Sequence, residues 1–172
     1  ERYYRGRLFE PLLRGEDVLT NMHANTTIPE IIGCARAYDV TGEEKWRKIV
    51  ENYWKLAVTE RGCYATGGQT CGEIWTPIKK LSARLGQKGQ EHCTVYNMMR
   101  LSGFLFRWSG DPIYLDYWEK SLYNGIMAQA YWKSGLSHGF TDAYPKEGLL
   151  TYFLPMRTGA QKGWSSKTGD FF

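Results

Sequence analysis

The sequence lacks long apolar runs and dense basic stripes, and each absence excludes a class of protein. A membrane-spanning helix needs about 18 or more consecutive apolar residues, and no stretch of this chain approaches that length. Lysine and arginine number 22 against 18 acidic residues, and they cluster only briefly, near Arg2, Arg5 and Arg7. A surface that binds nucleic acid normally carries a denser array of positive charge. We therefore expect neither a membrane nor a nucleic acid as a partner.

Nucleotide motifs are also lacking, and cysteine is scarce. The glycines match neither the phosphate-binding loop nor the dinucleotide fingerprint. Aromatic residues, by contrast, make up 15% of the 172 residues, which is typical of one folded domain with a sizeable core. Such a domain does not need disulfides. Two disulfides, or a mixture of core thiols and metal-binding or catalytic thiols, are both compatible with the four cysteines, Cys34, Cys63, Cys71 and Cys93.

The first half of the chain shows the periodicity of two amphipathic helices. Apolar residues recur at helical spacing over residues 28–38, with Thr26 or Thr27 placed to cap the start. Thr41-Gly42 ends this helix, and a second apolar run follows over residues 46–57. This pattern predicts a helical hairpin.

The pattern returns in the second half. A helix predicted from about residue 94 to 108 ends at Ser109-Gly110, and Asp111-Pro112 opens another that runs to about residue 130. A shift of 68 positions places Thr41-Gly42 on Ser109-Gly110. A repeated helix pair is typical of a stacked or toroidal all-α fold, although two unrelated hairpins with similar turns would give the same match. Both interpretations predict an all-α region.

Two segments break the helical pattern. Residues 61–90 form a long stretch with Gly62, Gly67, Gly68, Gly72, Gly86 and Gly89, and a loop of this length inside a compact domain is usually functional. The apolar run over residues 149–154 predicts a short β segment near the C-terminus, ending at Pro155.

Glu91-His92-Cys93 is the strongest candidate for a metal site. It lies at the predicted start of the third helix, and zinc accepts both a carboxylate and a thiolate. Residues two apart in a helix point about 200° away from each other, so both can face one metal only if the helix begins between them. The alternative is that Glu91 caps the helix and Cys93 is a small core residue. His92 and His138 have no spacing that indicates a metal pair.

Glu73 is the candidate general acid. It lies in the glycine-rich segment over residues 67–75, and a carboxyl group beside an apolar ring is suited to acid catalysis. The neighbouring Trp75 has an indole suited to stacking on a sugar. A surface glutamate would have the same sequence context. His23 immediately precedes a predicted helix start, as either a cap or a ligand contact.

Several short motifs in series resemble one family. They are His23-Ala24-Asn25-Thr26 with Ile28-Pro29, Tyr64-Ala65-Thr66-Gly67-Gly68, Gly72-Glu73, Glu91-His92-Cys93 with Tyr96-Asn97-Met98, Leu105-Phe106-Arg107-Trp108, and Tyr123-Asn124. In this order they resemble the β-L-arabinofuranosidase family of glycoside hydrolases, family 127 and its relatives, formerly a domain of unknown function. Each motif is weak alone, but the unbroken series over nearly the whole chain is specific.

The resemblance implies a fold and a set of site residues. The fold is an (α/α)6 toroid of antiparallel helical hairpins, of which residues 1–172 would be a single partial catalytic domain, truncated at both ends. Glu73 would be the general acid/base, and Glu91 and Cys93 would be two zinc ligands. His23 would line the sugar pocket, and Tyr152 would also reach the sugar.

The resemblance also implies a mechanism and reveals one departure. The family hydrolyses with retention: a zinc-held thiolate attacks the anomeric carbon while the glutamic acid protonates the leaving oxygen. The thiolate belongs to a pair of adjacent cysteines that follows a segment resembling residues 166–172, and this chain contains no such pair. We therefore expect the 172-residue chain alone to bind zinc substoichiometrically and to show no turnover.

Three functional interpretations stay open. The parent protein is a zinc-dependent glycoside hydrolase acting on β-L-arabinofuranosides or a related plant cell-wall sugar, or it is a non-catalytic sugar-binding or scaffold toroid. The third is a zinc-independent (α/α) enzyme such as an unsaturated glucuronyl hydrolase or a sugar epimerase, which the Glu-x-Cys motif disfavours. In each case the expected partner is a carbohydrate. A homo-oligomer is a further expectation, because a partial toroid would expose apolar helix faces.

Overall fold

The computed structural model describes residues 4–86, 88–131, 149–150 and 152–160. Within these ranges the chain is mainly helical with a few short strands, which confirms the predicted all-α class with a β segment near the C-terminus. His138 and residues 166–172 lie outside the described residues. The helices are α1 (Gly6–Arg14), α2 (Ala24–Thr41), α3 (Glu44–Trp54), α4 (His92–Ser109) and α5 (Ile113–Lys120), and the strands are β1 (Thr70–Cys71), β2 (Ile74–Trp75), β3 (Gln90–Glu91), β4 (Ala130–Tyr131), β5 (Leu149–Leu150) and β6 (Phe153–Leu154).

Both predicted hairpins are present, and they repeat each other. The helices α2 (24–41) and α4 (92–109) are offset by 68 positions at both ends. Gly42 and Gly110 follow them with φ angles of 69° and 70°, and their amides donate to Tyr38 O and Phe106 O at 2.8 Å. Glycine adopts this left-handed conformation without steric cost. The same cap therefore turns the chain into α3 and into α5.

The second helix of each hairpin, α3 or α5, continues as a π-helical segment, which the apolar periodicity of the sequence did not predict. The segments are Lys55–Glu60 after α3 and Ser121–Ile126 after α5. In the second hairpin the segment packs back on the start of α4, because Gly125 lies beside Val95. The second hairpin is therefore antiparallel along its whole length, and in the first the start of α2 meets the end of α3, where Thr27 Oγ1 lies 2.8 Å from the Tyr53 hydroxyl.

The first helices of the two hairpins, α2 and α4, which we call the inner helices, run parallel to each other. Near their N-termini, Asn97 Nδ2 donates to Asn25 Oδ1 at 2.7 Å, and near their C-termini Trp108 Nε1 donates to Asp39 Oδ1 at 2.9 Å. The two hairpins thus pack side by side, as predicted. The N-termini of both inner helices lie at the same end of the structure.

The start of α2 differs from the sequence-based expectation. The helix begins at Ala24 and its cap is His23, whose side chain accepts from the amide of Thr26. Thr27, one of the two expected caps, is buried instead, and its hydroxyl donates to Ala24 O. The prediction favoured threonine because histidine is not among the preferred capping residues.

Short strands organise the segments expected to be irregular. The stretch over residues 61–90 is not a plain loop, because β1 pairs with β2 as a hairpin. The apolar run over residues 149–154 gives two strands with different partners: β5 pairs with β4, and β6 pairs with β3. The last pairing brings the C-terminal part of the described chain to the start of α4.

The core lies between the helices and is largely aliphatic and aromatic. All four cysteines are free thiols, which contradicts the two-disulfide interpretation, and a metal-binding or catalytic role for any of them stays a prediction. Within the described ranges, no helix is both long and apolar enough to cross a bilayer. The α5 helix leaves three large apolar side chains partly exposed, Ile113 at 53%, Leu115 at 42% and Trp118 at 38%. A homo-oligomer stays a prediction.

Two glycines provide a stability test of this packing. A Cβ at Gly125 would lie 2.1 Å from Thr66 O, whereas a Cβ at Gly103, within α4, would have no atom within 4 Å. We expect Gly125→Ala to lower the free energy of unfolding by about 2 kcal/mol through overpacking. Gly103→Ala is expected to raise it by about 0.5–1 kcal/mol through helix propensity. Urea unfolding of the two variants measures both changes, and equal stability of the two would contradict the packing described.

Candidate active site

The backbone at the start of α2 positions His23 beside Glu73. Gly72, at a φ of 64°, turns β1 into β2, and Glu73 lies in this turn. The amide of Ala24 donates to Glu73 O at 2.8 Å, and the amide of Trp75 donates to Met22 O at 2.9 Å. These two bonds fix the Glu73 turn against the residues that precede α2.

The side chains of His23 and Glu73 form a hydrogen-bonded pair. His23 Nδ1 accepts from the amide of Thr26 at 3.2 Å, so that nitrogen carries a lone pair. The proton of the neutral ring is therefore on Nε2, which donates to Glu73 Oε2 at 2.9 Å. The side chains are 43% and 48% exposed, so the pair is accessible to a ligand. Of the two alternatives for His23, the cap is confirmed, and the ligand contact stays a prediction.

Glu91 and Cys93 converge because α4 begins at His92, between them. Glu91 occupies the N-cap position, yet its side chain makes no capping hydrogen bond. Instead Cys93 Sγ donates to Glu91 Oε1 at 2.9 Å, and Thr94 Oγ1 donates to Glu91 Oε2 at 2.8 Å. Glu91 and Cys93 can face one metal only if the helix begins between them, and the helix does begin there.

Tyr152 completes this cluster from the far end of the described chain. The pairing of β6 with β3, and a bond from the amide of His92 to Tyr152 O at 2.8 Å, bring it to the start of α4. Its hydroxyl donates to Glu91 Oε1 at 2.5 Å and lies 2.8 Å from Cys93 Sγ. The three functional groups therefore share one hydrogen-bond network.

This network keeps its sulfur and phenol protonated. Burial, followed by the hydrogen bond to the Glu91 carboxylate, raises the pKa of Cys93 to about 12. Burial, with the bonds to Cys93 and Glu91, also raises the pKa of Tyr152 above its ordinary value. At neutral pH the cluster holds a thiol whose proton a bound cation would have to displace.

The donor set around Glu91 fits part of a zinc site. Glu91 is 1% exposed, and in the part of the chain that the structure describes no cationic side chain pairs with it. A buried carboxylate served only by neutral donors suits a metal ion, and the neighbouring thiol is a second zinc-type donor. Within the same ranges no group of three or more His, Cys, Asp or Glu side chains converges. A zinc site built on Glu91 and Cys93 would therefore need at least one further donor.

Trp75 does not reach this site, which corrects the expectation of a sugar-stacking indole. Its side chain is 0% exposed and its Nε1 donates to Thr27 Oγ1 at 3.1 Å. The ring packs edge-on against Tyr53, at a centroid distance of 6.0 Å. Residues alternate sides along the β2 strand, and Trp75 points into the core.

Three polar residues of the site were not predicted from the sequence. Thr94 binds Glu91, and Asn25 and Asn97 join the starts of α2 and α4. Thr94 follows Glu91 by three residues, the spacing of one helical turn, so a search for side-chain bonds across that turn could have found it. The Asn25–Asn97 contact spans 72 positions and carries no local signal.

A comparison with protein families decides the relationship. The family model described as β-L-arabinofuranosidase, GH127 catalytic domain, matches residues 1–172. The chain belongs to this family. The family consists of glycoside hydrolases of the arabinofuranosidase type. The repeated hairpins of this chain agree with part of an all-α toroid. None of the curated proteins matches the chain.

Proposed function

We propose that this chain contributes the general acid/base and two metal ligands to a zinc-dependent retaining glycoside hydrolase. Its substrate is a β-L-arabinofuranoside or a related plant cell-wall sugar, and residues 1–172 are part of the catalytic toroid. The observation that carries the proposal is the 2.9 Å contact of Glu91 and Cys93 across the start of α4. A carboxylate and a thiol, held together across the start of a helix, are a donor pair that zinc prefers.

Glu73 is the proton donor in this proposal. A general acid must reach the glycosidic oxygen, and the exposure of the His23–Glu73 pair permits that. His23 holds Oε2 of Glu73 through its Nε2 proton, and in this proposal Oε1, which no other described residue binds, faces the substrate. His23 itself is close enough to the acid to contact the same sugar.

Glu91 and Cys93 hold the metal, with Tyr152 beside them. Zinc, when bound, keeps a thiolate available as a nucleophile at neutral pH. The remaining donors in the proposal are the adjacent cysteine pair that the family resemblance places after residues 166–172. In the proposal Tyr152, whose hydroxyl lies 2.8 Å from Sγ of Cys93, hydrogen-bonds a sugar hydroxyl next to the metal ligands.

Zinc analysis and turnover test the proposal together. The 172-residue chain is expected to hold much less than one zinc and to leave an aryl β-L-arabinofuranoside intact. A chain extended through an adjacent cysteine pair is expected to hold one zinc and to hydrolyse it. One tightly held zinc in the 172-residue chain would mean that its own residues complete the site. An extended chain that binds the sugar without metal or turnover would favour the sugar-binding alternative.

The substitution Cys93→Ser sharpens the metal assignment. Four-ligand zinc sites bind with about 10–16 kcal/mol, so loss of one thiolate should weaken zinc binding roughly 10²-fold in the extended chain. Cys63→Ser is the matched control, because Cys63 is also a partly buried free thiol but contacts Lys120 instead of Glu91. Competition with a zinc chelator measures both affinities. Equal losses in the two variants would remove Cys93 from the ligand set.

A further inference from the structure

Two asparagines from separate motifs, Asn25 and Asn97, have no role in the proposed chemistry. Yet Asn97 Nδ2 donates to Asn25 Oδ1 at 2.7 Å, in a partly buried contact between α2 and α4. Partly buried amides that bond each other in this way restrict the relative position of the elements that carry them. The contact lies at the end of the helices where the candidate site is.

The start of α2 depends on side-chain anchors more than an ordinary helix does. Pro29 lies inside α2 and has no amide proton, so Asn25 O loses its normal intrahelical donor. The first turn is held by His23 Nδ1, which accepts from Thr26, by the side chain of Asn25, and by Thr27, which donates to His23 O and Ala24 O. Removing one of these anchors should therefore loosen the turn that carries His23.

The asparagine bond connects the two halves of the site. Asn25 follows His23 by two residues, and His23 and Ala24 are bonded to Glu73. Asn97 follows Cys93 by one helical turn, on the helix whose start holds Glu91 and Cys93. The Asn25–Asn97 hydrogen bond therefore connects α2, whose N-cap residue His23 pairs with Glu73, directly to α4, whose start holds Glu91 and Cys93.

We propose that Asn97 is a positioning residue which, through Asn25, holds His23 and Glu73 in register with Glu91 and Cys93. The proposal deepens the proposed function and rests on it for its effect on turnover. A misplacement of about 1 Å between catalytic groups can lower a rate about 10²-fold. Loss of the bond should therefore reduce kcat by about 10- to 100-fold and leave KM nearly unchanged.

The first test reads the geometry without any activity. The chain contains three histidines, so ring resonances of the ¹⁵N-histidine-labelled protein are few enough to assign. We expect Asn97→Ala to shift or broaden the ring resonances of His23. Asn52→Ala is the matched control, because Asn52 Nδ2 also makes a partly buried 2.7 Å bond between helices, to Leu12 O, away from the site. This control should destabilise the fold comparably and leave the His23 resonances in place.

The second test reads catalysis in the extended, zinc-loaded chain. Asn97→Ala should lower kcat and leave KM nearly unchanged. The double variant Asn25→Ala/Asn97→Ala should have a kcat no more than about twofold below that of Asn97→Ala, because both substitutions remove the same bond. Asn25→Asp keeps an oxygen that can accept from Asn97 Nδ2, so it should retain most of the activity. Asn52→Ala should leave kcat within about twofold of the wild type.

The outcomes separate this proposal from the proposed function. If His23 resonances are unmoved by Asn97→Ala, or if Asn52→Ala moves them equally, the positioning role is wrong whatever the activity. If the extended wild-type chain hydrolyses no arabinofuranoside but Asn97→Ala still perturbs His23 selectively, the proposed function fails and the positioning of His23 by Asn97 stands.

Discussion

The substitution Glu73→Gln is expected to lower kcat of the extended chain on an aryl β-L-arabinofuranoside by about 10²- to 10⁴-fold. Glutamine has the shape of glutamate but no proton to give to the leaving oxygen. Its amide oxygen can still accept from His23 Nε2, as Glu73 Oε2 does at 2.9 Å, so the turn between β1 and β2 should keep its conformation. The loss should therefore fall on the chemical step and leave zinc content unchanged.

Leaving-group dependence makes this prediction specific to acid catalysis. An acidic phenol leaves without much protonation, so the defect of Glu73→Gln should shrink as the phenol becomes more acidic. Glu51→Gln is the matched control, because this carboxylate lies on α3 in a half-exposed pair with Arg47. A defect that is equal for all leaving groups, or that the Glu51 variant shares, would exclude Glu73 as the proton donor.

Replacing Arg61 with alanine should lower the free energy of unfolding by about 3–5 kcal/mol, because it empties a fully buried site and takes the donor away from two backbone carbonyls and from the Asp17 carboxylate. The Arg61 side chain is 0% exposed, and one of its terminal nitrogens donates to both oxygens of Asp17 at 2.9 Å. Its other nitrogens donate to Thr76 O at 2.5 Å and to Leu56 O at 2.8 Å. The guanidinium thus ties the end of the β1–β2 hairpin to the π-helical segment and to the loop before α2.

An exposed pair of the same kind is the control for Arg61. Arg14 makes two hydrogen bonds to Glu16, but both side chains are 56% exposed and solvent screens the pair, so Arg14→Ala should lower the free energy of unfolding far less than Arg61→Ala does. Urea unfolding of both variants gives the comparison. Equally small losses of stability in the two variants would show that the contacts of Arg61 contribute little. The zinc content of Arg61→Ala, measured in the extended chain, shows whether the segments that Arg61 connects lose their positions.

The Arg61 contribution should also depend on pH. Burial alone would raise the pKa of Asp17, but hydrogen bonds from Thr20 and Arg61 and the charge of Arg61 outweigh it and lower the pKa below the ordinary value. A lowered folded-state pKa means that this stabilisation is present above the unfolded pKa of about 3.9 and is lost as the pH falls through the folded value. In Asp17→Asn that part of the acid dependence should disappear.

The helical hairpins were predictable because their signals are local. Apolar spacing and the Thr41-Gly42 and Ser109-Gly110 caps act within a few residues, and the structure keeps the 68-position repeat that they indicated. Boundaries were less predictable, since His23 caps α2 through its ring nitrogen and the two π-helical segments leave no periodic signature. Trp75 was misjudged because a strand of two residues gives no alternation from which its side could be read.

The sequence by itself determined the family and the repeat, and it predicted an acid and two metal donors, because motifs and helix periodicity are properties of neighbouring residues. Only the tertiary structure decided which of these groups meet. The β3–β6 pairing carries Tyr152 to Glu91, and the parallel packing of α2 and α4 joins Asn25 to Asn97. Contacts of this kind arise from burying apolar helix faces against each other, a condition imposed by the whole chain and not by any short segment of it.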